Sequence, residues 1–169
     1  MAERTARQQF LEGFQRETDT TLKVLKAYPP DKLDLRPAPK SKTARDLAWM
    51  FVMEQGLLET ALTTGFDWSK PRGKAPEAPE TLDGLIAAFE QSRKRVLELV
   101  QTASDEKLHT GTASFFTAPK TVGNIPMLDF LWFILCDQIH HRGQFSVYLR
   151  MADGRLPSIY GPTADEPWN

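Results

Sequence analysis

PMLDFLWFILCDQIHHRGQFSVYLRMADG, residues 126–154, reads as one long helix, and the rest of the chain is organised around it. Pro126 suits a first helical turn, where a missing N–H costs nothing, and Gly154 suits a left-handed stop just past the end. Between them Leu131, Ile134, Leu135, Ile139, Phe145, Tyr148 and Leu149 recur at three- and four-residue steps, the helical period. Asp137, His141 and Gln144 interrupt that face at i, i+4 and i+7, so they are expected to stack on one side among apolar neighbours. A carboxylate and an imidazole four residues apart can converge on one ion or share one proton.

Working outward, three more helices are expected. From about Glu3 to Ala27 the sequence has few breakers and spaces Phe10, Phe14, Leu22 and Leu25 at near-helical intervals, until Tyr28-Pro29-Pro30 ends the run. A polar, proline-bearing connector follows over 31–42. Thr43 with Asp46 is a capping-box-like start for a second helix that stops before Gly65. Its inward stripe is Leu47, Met50, Glu54 and Leu57 or Leu58. Residues 66–80 carry three prolines and no periodicity, which predicts a long crossover loop of the kind that often covers something. Thr81 caps a third helix over Leu82–Thr102, with Leu85, Phe89, Val96, Leu97 and Val100 inward. Residues 103–124 hold Ser114-Phe115-Phe116, read as a short strand or a loop anchored by two aromatics. The tail after Gly154 is expected to pack back through Leu156, Ile159 and Tyr160. This pattern predicts an all-α four-helix bundle with long crossover loops, a single domain over residues 1–169.

Composition narrows the function. The 169 residues carry a net charge of −1 with no basic block or stripe, so no nucleic-acid surface is indicated. The amino-terminal residues lack the apolar run of a signal peptide, and the longest apolar run, within Met127–Cys136, is too short to span a bilayer. Cys136, the single cysteine, fits a reducing cytoplasm, and its neighbours Ile134, Leu135 and Ile139 predict a buried, inert thiol.

In helical bundles metal sites are built from inward side chains on facing helices. Here the ligand set would be Asp137 and His141 on the last helix and Glu54 on the second. A carboxylate on an inward stripe needs a partner. Glu54 therefore either belongs to a site or lies at the stripe's edge, reaching solvent or pairing with Arg142. Asp137 and His141 likewise either hold an ion or pair with each other, Arg142 or Gln144. His140 points a quarter-turn away from His141, toward the surface or an interface, and His109 is expected in solvent. Trp49, Trp132, Phe133 and Tyr148 read as core or dimer contacts. No nucleophile-elbow pattern (G-x-S-x-G) is present.

DQIHHRGQFSVYLRM with the following LPSIYG, and TARDLAWMFVMEQ in the second helix, resemble the DinB/YfiT-like metalloenzyme family. The resemblance implies a four-helix bundle paired as a homodimer. It also implies a divalent ion, nickel or zinc, held by three histidines, and a hydrolase or thiol S-transferase acting on a small molecule or low-molecular-weight thiol. His141 matches one of those histidines. Asp137 stands at the second position and Met50 at the third, with Glu54 one turn beyond. The site is therefore expected either to use Glu54, Asp137 and His141 or to have lost its metal, leaving a non-catalytic, ligand-binding or stress-related dimer.

Overall fold

Four helix starts are written in hydroxyl side chains. Thr5, Thr43, Thr81 and Ser104 each accept the N–H three residues on, from Gln8, Asp46, Gly84 and Lys107. In the computed structural model, which describes residues 3–71 and 73–168, they open α1 (Ala6–Lys26), α2 (Ala44–Leu62), α3 (Leu82–Thr102) and the short α4 (Asp105–Thr110). A two-stranded antiparallel sheet, β1 (Thr112–Ala118) and β2 (Thr121–Pro126), leads into α5 (Met127–Met151).

The sheet settles the segment that the sequence left open. Thr112–Phe116 is rich in β-branched and aromatic residues, and Pro119 with left-handed Lys120 (φ 61°) closes the turn between paired Ala118 and Thr121. α4 and β2 were not anticipated, because their short runs carry no apolar period. Pro126 is the last residue of β2 and caps α5 from outside the first turn. At the other end Asp153, not Gly154, takes the left-handed conformation (φ 58°). Asp153 and Gly154 then donate their N–H groups to the Arg150 and Leu149 carbonyls, a Schellman stop. Gly154 is needed for a different reason: a Cβ there would lie 2.2 Å from Leu149 Cδ1 and 3.2 Å from Pro29 Cδ.

α1 and α2 each pack against both α3 and α5. Two apolar clusters fill the interior. One joins Phe10 and Phe14 of α1, Leu58 and Leu62 of α2, Val96 and Val100 of α3, and Phe130, Leu131, Ile134 and Leu135 of α5. The other joins Val24, Phe51, Phe89 and Phe145, from the opposite ends of the same helices. α2 and α3 therefore run in the same sense, and residues 63–81 connect opposite ends of the molecule. Between the clusters lies a belt of buried polar side chains: Glu17, Thr18 and Thr21 of α1, Glu54 and Gln55 of α2, and Gln138 and Arg142 of α5.

Two expectations are corrected, one by that belt. Arg142 pairs with Glu17, not Glu54: its Nη2 lies 2.8 Å from Glu17 Oε2 and its Nη1 2.8 Å from the Glu17 carbonyl oxygen, with Tyr160 Oη completing the cluster. The tail does pack back, since Tyr160 Oη also donates to Glu17 Oε2 at 2.6 Å. The second correction concerns Cys136, which is exposed. Adjacency to Leu135 misled, because one residue turns a helix by roughly 100°. That turn carries Cys136 onto the outer face with Trp132, Phe133 and His140. The architecture is mostly helical with a small sheet, and among the described residues no helix is long and apolar enough to cross a membrane.

Candidate metal centre

Glu54 follows Phe51 by three residues and precedes Leu58 by four, so the apolar stripe of α2 carries it inward to 3 % exposure. Across the α2–α5 contact, Asp137 and His141 stack at i, i+4. Ligand atoms of Glu54, Asp137 and His141 all lie within 4.8 Å of one another. Of the residues read as candidates, these three converge. Gln144 does not join them; it is exposed, and its Nε2 lies 2.8 Å from His140 Nε2. Met50 is half-buried and lines the hollow into which Glu54 faces. His109 is exposed, with Nδ1 2.8 Å from the Asp105 carbonyl oxygen.

The contact between Glu54 and His141 is short but misaligned. Glu54 Oε1 and His141 Nδ1 are 2.6 Å apart, yet neither atom, nor Glu54 Oε2, has a hydrogen-bond partner of proper direction. Buried polar atoms left in that condition are costly and call for a further partner. Two carboxylates and an imidazole form an oxygen-rich donor set suited to zinc, nickel or manganese, so these residues fit a divalent ion. Burial pushes the Glu54 carboxyl up, with His141 opposing and Asp137 adding to the shift. The Glu54 carboxylate raises the His141 imidazole, while burial works against it.

Two hollows flank the triad. One, of about 620 Å³, has Glu54 among its lining residues, with Trp49, Met50, Met53, Leu57 and Trp68. The 66–80 segment covers it as anticipated: Gly73–Pro76 form part of the wall, and Trp49 Nε1 donates to the Pro76 carbonyl at 3.0 Å. The start of the segment is stitched to β1, with Trp68 N–H donating to the Ser114 carbonyl and Ser114 N–H to that of Phe66. The other hollow, about 470 Å³, has His141 with Lys40, Lys42 and Tyr148 in its wall. Trp49, read from sequence as a core or dimer contact, is thus a wall of the site. No spacing pointed there, since Trp49 and Glu54, five residues apart, lie on different faces of α2.

A mostly helical fold with a carboxylate–imidazole triad between two facing helices defines a helical protein with a candidate metal centre. Residues 1–168 match the DinB family, and the chain belongs to it. It is 24 % identical over 157 residues to the uncharacterized protein YrdA of Bacillus subtilis, covering 93 % of this chain and 89 % of YrdA. A DinB-like protein from Bacillus cereus superposes with a TM-score of 0.73 at 24 % identity, covering 89 % of this chain and 95 % of that one. The DinB-like protein YjoA of B. subtilis superposes with a TM-score of 0.67 at 16 % identity, covering 94 % and 99 %. These two likenesses establish the shared fold.

Proposed function

We propose that this DinB-family chain is a metal-dependent enzyme of the hydrolase or thiol S-transferase type, built as a four-helix bundle with a long crossover loop over 63–81. In this reading Glu54, Asp137 and His141 hold one divalent ion, nickel or zinc. The observation that carries it is the buried Glu54 carboxylate, whose two oxygens lack hydrogen bonds beside a misaligned His141 Nδ1. A divalent ion there supplies Lewis acidity, able to draw a proton from water or a thiol at neutral pH. The chain supplies the rest: Glu54 and His141 fix the position from two helices, and the 66–80 segment narrows access by water. Elemental analysis of untagged protein tests the assignment. Near-stoichiometric metal in the wild type, lost in His141→Ala, is the expected result. Metal bound only after Met50→His would mean a disarmed site and favour a non-catalytic, ligand-binding protein of the same fold.

The same reading makes the protein a cytoplasmic homodimer. The outer face of α5 presents Trp132, Phe133, Val147 and Met151 at 37 %, 46 %, 56 % and 50 % exposure, a stripe suited to a second copy of itself. Val147→Glu is expected to convert a dimer to monomer in sedimentation equilibrium. A wild-type monomer at micromolar concentration would remove this part of the proposal.

A further inference from the structure

The two hollows are different in chemistry and share a wall. On the Glu54 side, two indoles (Trp49 and Trp68), two thioethers (Met50 and Met53) and Leu57 make a largely apolar recess, whose acids are Glu54 itself and Asp46. Its size falls in the usual range for small-molecule sites, roughly 300–1,000 Å³. On the His141 side, Lys40 and Lys42 stand with Ser41, Gln144 and Tyr148, and among the described residues no carboxylate lines the hollow. Lys42 borders both hollows. Its backbone is held, because its carbonyl accepts the Tyr148 hydroxyl at 3.0 Å. The side chain is exposed and available to a ligand. Glu54 on one side and His141 on the other are the 2.6 Å pair described above, so the triad sits where the two hollows adjoin.

We infer that the hollows form one elongated site for a small amphipathic anion. Its apolar or aromatic body would lie among Trp49, Met53, Leu57 and Trp68, its anionic group over Lys40 and Lys42, and its middle beside Glu54 and His141. A thioether-and-indole recess accepts polarisable apolar groups of varied shape. Two lysines in a hollow whose described lining carries no acid supply the charge selection. The inference extends the metal-centre reading by naming the class of molecule that centre would act on; the binding itself needs no metal.

Binding of two fluorescent probes tests it: anilinonaphthalene sulfonate and its uncharged analogue phenylnaphthylamine, each titrated into chelator-treated and zinc-loaded protein. The sulfonate is expected to bind once per chain, with energy transfer from tryptophan. Lys42→Glu is expected to weaken the sulfonate roughly tenfold or more while changing the uncharged probe by less than about twofold, a difference set by one reversed charge nearby. Met53→Asp is expected to weaken both probes. Lys42 is exposed, so its variant keeps the fold and the charge arm stands even if Met53→Asp is unstable. No saturable binding, an unchanged sulfonate affinity in Lys42→Glu, or an equal loss for both probes would each overturn the proposal. Sulfonate binding that persists in chelated protein, beside a wild type without metal, would sink the metal reading and leave this one standing.

Discussion

Arg142→Met lowers the stability of the protein by about 3 kcal/mol, because it leaves the buried Glu17 carboxylate with only the exposed Arg16, 3.2 Å away, and the Tyr160 hydroxyl as partners. Side-chain exposure is 2 % for Arg142 and 7 % for Glu17, so water cannot replace the lost guanidinium. Removing both charges in Glu17→Gln/Arg142→Met costs much less, since no unpaired ion then remains in the interior. Burial pushes the Glu17 carboxyl up, but the Tyr160 and Arg142 hydrogen bonds and the Arg142 charge outweigh it, and the net direction is down from 4.5. A depressed folded value means that this group's stabilisation is fully present above the unfolded value. It is lost as pH falls through the folded one. Urea midpoints of wild type, single and double variants between neutral and acid pH check the claim. A single variant no worse than the double would refute it.

If Glu54, Asp137 and His141 hold an ion as proposed, added zinc is expected to stabilise the wild type by about 2.7 kcal/mol at a hundredfold excess over the dissociation constant, and to do nothing for His141→Ala. The sign with pH is distinctive. Folding raises the Glu54 and His141 values above 4.5 and 6.5. Without metal, their contributions are complete below those unfolded values and disappear as pH rises through the folded ones. A metal ion needs both groups deprotonated, so its stabilisation grows over the same interval. Chelated protein should therefore lose stability as pH climbs past about 6.5, while the increment from added zinc increases. Thermal melts with and without zinc at several pH values show whether the two trends diverge. Parallel curves would mean that no ion enters between these side chains.

Much of this was legible in the sequence because local rules and global packing agree. Threonine caps and apolar spacing placed α2 and α3 within a residue or two, and the period of α5 put Asp137 and His141 on one face. Several misses share a cause: partners far apart along the chain. Glu17, Thr18 and Thr21 look like polar surface until Arg142, 125 residues later, turns them into interior. Cys136 looked buried by adjacency, where angle around the helix decides. Trp49, Trp68 and Lys42 became walls of a site only once the 66–80 segment had been laid across α2.

The joining of Glu17 to Arg142 and Tyr160 also sets a clock. Tyr160 is synthesised 143 residues after Glu17, an interval of roughly 7–30 s at 5–20 residues per second. For most of that time α1 has neither the guanidinium that neutralises its carboxylate nor the Phe130, Leu131, Ile134 and Leu135 side chains that share a cluster with Phe10 and Phe14. The joining of α1 to the rest of the fold therefore waits on α5 and Tyr160, so it is a late event in the synthesis of this chain.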